Sequence, residues 1–136
     1  MRRVFVDSGA FFALLVPKDA SHLAAVAAFK QAEAERWGLT TSNAVVIETY
    51  ALLIARTRPG RLAAIAFLDA VEHSSLQVER ITAEDEARAV GLVRSHADKT
   101  YSLCDALSFV VMERLGIDEA IAYDRHFREY GRFRII

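Results

Sequence analysis

The sequence predicts a single α/β domain in three layers, a mostly parallel central sheet flanked by helices. Three observations carry that expectation. Short apolar, β-branched runs alternate along the chain with stretches of helical period. The connections between those runs are too long for hairpins, as parallel neighbours require. The chain's 136 residues suit one domain with a substantial core, and no linker, repeat or low-complexity segment divides residues 1–136.

Taken in order, Arg3 to Val6 is apolar and reads as a buried strand ending at Asp7. From Ser8, with Phe11, Phe12, Leu14 and Leu15, the pattern turns helical until Pro17 stops it. Asp19 or Ser21 suits the cap of a second helix, whose Leu23, Val26, Ala27 and Phe29 share a face. Trp37-Gly38 closes that helix, and Leu39-Thr40-Thr41 is a minimal strand. Ser42 or Asn43 then caps a long helix to Arg56, which carries Glu48 in its body.

Pro59 marks the start of another helix, striped by Leu62, Ile65, Ala66, Leu68 and Val71 as far as His73. Leu76 to Ile81 alternates like a half-buried strand. Thr82-Ala83-Glu84-Asp85-Glu86 is a helix start with acids in its first turn, continued by Ala87, Val90 and Val93. After a polar loop, Ser102 opens an apolar helix from Leu103 to Leu115, closed by Gly116. Ala120 to Tyr123 is a strand, and Phe133 to Ile136 a last short one.

Composition narrows the function classes. Apolar residues make up 53% and there are two prolines, which argues against disorder. With 17 basic and 18 acidic residues the net charge is −1, so any contact with nucleic acid has to be local. One cysteine, Cys104, excludes an internal disulfide and fits a reducing compartment. Arg2-Arg3 before an apolar stretch imitates a signal peptide, yet Asp7 in its middle is out of place there. No apolar run is long enough to span a membrane. A soluble, cytoplasmic protein is expected.

Four acids, Asp7, Glu48, Asp105 and Asp124, stand in apolar surroundings. Desolvating a carboxylate is costly unless something pairs with it. Several converging on one point cannot all stay ionised without a cation. Asp7 and Asp124 follow directly after strands, so both belong on the carboxyl edge of the sheet, where α/β sites form. Asp118 and Glu119 precede a strand and belong on the opposite edge. Ordinary roles exist for three of the four. Asp7 can cap a helix, Asp105 completes the capping box Ser102-x-x-Asp105, and Asp124 can pair with Arg125 or Arg128. Glu48, beside Val45, Ile47, Ala51 and Leu52, has the weakest ordinary role.

Hard oxygen donors suit Mg²⁺ or Mn²⁺. His22, His73, His96 and His126 are scattered and Cys104 stands alone in a core-type helix, so no zinc site is indicated. Divalent metal with carboxylates points to phosphoryl chemistry.

The stretches Val4-Phe5-Val6-Asp7-Ser8-Gly9-Ala10, Thr41-Ser42-Asn43-Ala44-Val45-Val46-Ile47-Glu48-Thr49, Tyr101-Ser102-Leu103-Cys104-Asp105-Ala106 and Ala122-Tyr123-Asp124-Arg125-His126-Phe127 occur in this order across the chain. In that combination the sequence resembles the PIN domain, and within it the small VapC-type toxins of prokaryotic toxin–antitoxin pairs. The resemblance implies a Mg²⁺- or Mn²⁺-dependent endoribonuclease in which Asp7, Glu48, Asp105 and Asp124 are the catalytic metal ligands. It also implies a homodimer, a cognate antitoxin that occludes the site, and RNA products with 5′-phosphate and 3′-hydroxyl ends. Asp124 matches the family's most variable acid.

In such a site the nucleophile is a metal-activated water, and no serine or cysteine triad competes for that role. Ser8 either orients a ligand, contacts substrate phosphate, or serves only as a helix-start residue. Arg125 and Arg128, with Arg132 and Arg134, follow Asp124 and are the better basic group for RNA, ahead of Arg56, Arg58 and Arg61. His126 can act on a leaving group or simply pack at a helix end. Two other readings stay open: a catalytically silent PIN-like module that binds RNA or protein, and a DNA-directed nuclease.

Overall fold

The computed structural model describes residues 1–136. Its five strands are β1 (Arg3–Val6), β2 (Gly38–Ser42), β3 (Gln77–Glu79), β4 (Glu119–Ile121) and β5 (Arg134–Ile135). They form one sheet in the order β3-β2-β1-β4-β5, and every neighbouring pair is parallel. Seven helices flank it: α1 (Ser8–Leu15), α2 (His22–Ala34), α3 (Asn43–Arg56), α4 (Gly60–His73), α5 (Ala83–Ser95), α6 (Leu103–Leu115) and α7 (Arg125–Tyr130). No helix is long and apolar enough to cross a membrane.

β1 is the central strand, with partners on both sides, and its Val4, Phe5 and Val6 are fully buried. α6 is buried without interruption from Asp105 to Met112, which explains why its sequence is apolar all round rather than striped. Around these two elements the core gathers Phe11, Phe67, Phe109, Ile121 and Phe127. The turn from α3 to α4 is tight. A Cβ on Gly60 would lie 2.5 Å from the Ile54 carbonyl oxygen and 2.9 Å from that of Leu53.

Four of the seven helices, α3, α5, α6 and α7, start on a side-chain cap, whereas Ser21 stands at the N-cap of α2 without a capping hydrogen bond and Asp19 instead accepts the Ser21 amide. Ser42 accepts a hydrogen bond from the Val45 amide at 3.2 Å, and Thr82 and Ser102 each form a full capping box. α6 ends on Gly116 in the left-handed region, at φ 68°. Asn43, the alternative cap of α3, instead accepts the Ile81 amide at 2.9 Å. That bond takes Ile81 out of the ladder and shortens the strand expected over Leu76 to Ile81 to Gln77–Glu79.

The strand expected over Ala120 to Tyr123 is displaced to Glu119–Ile121, because β4 pairs with β1 only as far as Val6↔Ile121. α7 is an element the sequence analysis lacks. Six residues are too few to display helical periodicity. Its start and stop are nonetheless marked, since Asp124 accepts the His126 amide at 2.9 Å and Gly131 takes φ 75°.

The edges separate the acids as expected. Glu119 opens β4 at the far edge, where Arg2 donates to it at 2.9 and 2.8 Å and Arg134 at 2.8 Å. Asp7 and Asp124 lie just beyond the carboxyl ends of β1 and β4.

Candidate active site

Asp7 leaves β1 through a hydrogen bond from its amide to the Ile121 carbonyl at 3.1 Å, so the sheet itself fixes its position. The residue is 2% exposed. It occupies the N-cap position of α1, but its carboxylate makes no capping hydrogen bond and Oδ1 is buried without any partner. Helix capping therefore does not account for this acid. Burial pushes its pKa up to about 8, with the Ser8 amide offsetting part and the charges of Asp105, Glu48 and Asp124 adding to it.

Asp105 is 4% exposed and sits at the third residue of α6. It serves the capping box fully: its amide donates to Ser102 Oγ at 3.0 Å and its Oδ2 accepts the Ser102 amide at 3.0 Å. Burial, then the charge of Asp124, raises its pKa to about 6 despite the capping bonds. Asp105, Asp124 and His126 bring ligand atoms within 4.8 Å of one another.

Glu48 is half-buried on α3 and accepts a hydrogen bond from the Ser8 hydroxyl. The buried stripe of α3 is Val45, Thr49 and Leu53, whereas Ile47 is 67% exposed. The apolar neighbours of Glu48 thus do not enclose it, contrary to the sequence-based argument; its position beside Ser8 does. Ser8 is 4% exposed, and its hydroxyl is turned to Glu48 rather than outward.

The four acids consequently share one field but form two groups. Asp105 and Asp124 make a close set with His126, while Glu48, held by Ser8, adds its charge at Asp7. Cys104 is within reach of acids from both groups. Its half-buried thiol is pushed up by burial and by the carboxylates of Glu48, Asp7 and Asp105. It also packs against the hydrophobic core, as its place in a core-type helix suggests.

The basic residues after Asp124 divide. Arg125 is 76% exposed, with Nε 3.4 Å from Glu129, and Arg128 is exposed on the same helix. Arg132 is held by Glu113 at 3.2 Å, and Arg134 pairs with Glu119 at the far edge of the sheet. Of this group, Arg125 and Arg128 are the two on α7, the helix that Asp124 caps.

His126, read from the sequence as acting on a leaving group or packing at a helix end, and Cys104, read as standing apart from any metal site, both adjoin the acids. The signal for His126 was its place two residues beyond Asp124, within the first turn that Asp124 caps.

Residues 4–133 match the PIN domain family, and the chain belongs to it. Within that family its similarity runs to VapC proteins. It is 36% identical over 129 residues to the 23S rRNA-specific endonuclease VapC20 of Mycobacterium tuberculosis, covering 94% of each chain. It is 33% identical over 125 residues to a VapC ribonuclease of Archaeoglobus fulgidus, covering 90% of this chain and 77% of that one. The crystal structure of M. tuberculosis VapC20, described as a sarcin-ricin loop cleaving toxin, matches with a TM-score of 0.84 at 35% identity over 95% of each chain. VapBC2 of Rickettsia felis, bound to a DNA fragment from its promoter, matches with a TM-score of 0.71 over 98% of this chain and 97% of that one. At 11% identity that is a likeness of fold.

Proposed function

We propose that this protein is a VapC-type endoribonuclease, the toxin of a toxin–antitoxin pair, and that Asp7, Glu48, Asp105 and Asp124 hold Mg²⁺ or Mn²⁺. The observation that carries the reading is the Asp7 carboxylate, 2% exposed, with one oxygen unpartnered and three further carboxylates in its field. A divalent cation supplies what that oxygen lacks, and the donor set is made of the hard oxygens such ions prefer. Similarity to ribonucleases over nearly the whole chain supports the same conclusion.

The chemistry a bound divalent ion supplies here is activation of a water for attack at phosphorus and neutralisation of charge on the phosphate oxygens. The chain's own part is positioning. β1 and the capping box of α6 fix Asp7 and Asp105 at the sheet edge, Ser8 holds the Glu48 carboxylate, and the start of α7 holds Asp124. Arg125 and Arg128 offer exposed cations to phosphates flanking the cut. The substrate is a structured RNA, as it is for VapC20, whose name specifies 23S rRNA. In the cytoplasm an antitoxin restrains the enzyme, which works as a homodimer.

The test is cleavage of a structured-RNA pool that includes 23S rRNA, with Mn²⁺ or EDTA, beside the Asp7→Asn, Asp105→Asn double variant. Cleavage that needs metal and disappears in the variant is expected. A folded protein that binds Mn²⁺ and cuts no RNA in the pool would overturn the reading in favour of a binding module.

A further inference from the structure

His126 is placed as a metal ligand is placed. Its side chain is 14% exposed and its Nε2 is turned to the acids, 3.9 Å from Asp124 Oδ1. The other ring nitrogen, Nδ1, lies 3.3 Å from Glu129 Oε2, and Arg125 holds the opposite oxygen of that carboxylate at 3.4 Å. An Nδ1–H donated to Glu129 leaves the lone pair on Nε2, aimed into the cluster. A histidine whose second nitrogen donates to a carboxylate is the recurrent arrangement around protein-bound metals, since it fixes both the tautomer and the ring plane. Tyr101 packs perpendicular to the imidazole, with centroids 5.5 Å apart, and adds a steric stop.

The backbone makes the same placement. Asp124 caps α7 by accepting the His126 amide at 2.9 Å, so cap and imidazole are locked together at the start of one short helix. That couples Asp124 to His126 and brings both within 4.8 Å of Asp105. Asp7, within the electrostatic reach of Asp105 and Asp124, adds a buried carboxylate oxygen, Oδ1, that no group of the chain satisfies.

We infer that the Nε2 of His126 is a ligand in its own right, which with Asp105 and Asp124 makes a mixed nitrogen–oxygen site favouring a divalent transition metal such as Mn²⁺ over Mg²⁺. Imidazole nitrogen is a poor donor for Mg²⁺, which demands oxygen ligands and keeps its waters. The inference rests on the metal-dependent reading above and specifies which ion it uses. The alternative is an imidazolium that only pairs with Asp124 and Glu129, in which case no nitrogen reaches the ion.

The experiment is electron spin echo spectroscopy of the full-length protein loaded with Mn²⁺, with calorimetric titration of Mn²⁺ and Mg²⁺ into wild type, His126→Gln, Glu129→Gln and Asp105→Asn. Expected are nitrogen-14 modulations from a coordinated imidazole in wild type, absent in His126→Gln. Mn²⁺ affinity falls on the order of tenfold to a hundredfold in that variant and less in Glu129→Gln, where the ring stays but loses its anchor. Mg²⁺ affinity changes less than Mn²⁺ affinity. Mn²⁺ bound tightly in wild type and weakened by Asp105→Asn, yet without nitrogen modulation, would overturn the inference while leaving the metal-dependent nuclease intact. A wild-type protein that binds no Mn²⁺ would overturn both. The wild-type spectrum decides the point even if a variant folds poorly.

Discussion

Asp85 and Asp105 occupy the same place in two capping boxes, and a single difference separates a structural acid from a site acid. Each is the third residue of its helix, accepts its cap residue's amide at 3.0 Å, and is almost fully buried. Arg114 clasps Asp85 at 2.9 and 2.8 Å, whereas Asp105 faces Asp124 and His126. The two shifts follow: Arg114 holds the Asp85 carboxyl below its ordinary value, while burial and Asp124 push Asp105 up to about 6. One acid has its cation built into the chain, and the other faces a second acid and a histidine.

Replacing Arg114 with Leu leaves Asp85 buried and unpaired, since Glu79 is only Arg114's second partner. A loss of about 2–4 kcal/mol is expected in denaturant unfolding near neutral pH. Because the folded-state pKa of Asp85 is depressed, the pair's contribution is present above the ordinary carboxylate pKa and disappears as pH falls through the folded value. Asp105→Asn, in the same local geometry, is expected to cost under 1 kcal/mol; an equal loss in both would contradict the distinction.

Asp7 and Asp105 have the opposite sign. Their folded pKa values, about 8 and about 6, lie above the ordinary 3.8, so the folded state holds protons that the unfolded chain releases. In EDTA, stability therefore falls as pH rises from about 4 to about 8. Asp7→Asn removes most of that slope and is more stable than wild type at pH 8 by on the order of 1–3 kcal/mol. Mn²⁺ reverses the trend, because binding needs the ionised carboxylates. Thermal melts across this range check all three statements, and a wild type whose melting temperature rises with pH in EDTA would refute them.

Ser8→Ala keeps the fold but frees the Glu48 carboxylate. Mn²⁺ affinity is expected to drop tenfold to a hundredfold, as it does when a group orienting a ligand is removed, with unchanged circular dichroism. Unaltered affinity in calorimetry would show that Ser8 does no more than begin α1.

Gly60→Ala tests the α3–α4 turn. Its new methyl would meet rigid backbone at 2.5 Å, so about 2 kcal/mol or more is lost in unfolding with cleavage retained in the folded fraction.

Much of this was legible in the sequence. Apolar β-branched runs and strong caps located β1, α3, α5 and α6, and the position of Asp7 and Asp124 after strands put them on the right edge. What escaped detection was set by contacts distant in sequence. The strand around Val78 ends early because Asn43 takes the Ile81 amide from 38 residues away. α7 is too short to have a period, and without it His126 could be read only as acting on a leaving group or packing at a helix end, not as a neighbour of Asp105. The environment of Glu48 was misjudged because apolar neighbours on α3, such as Ile47, point to solvent. No periodicity argument reports that a helix exposes part of its apolar surface.

The most direct test of the central claim is the end-group chemistry of RNA cut by the purified protein in Mn²⁺. Hydrolysis by water at the four-acid site predicts 5′-phosphate and 3′-hydroxyl ends, with cutting abolished by EDTA. Cutting that persists in EDTA and leaves 2′,3′-cyclic phosphate and 5′-hydroxyl ends would contradict it, because those ends come from attack by the ribose itself and need no metal.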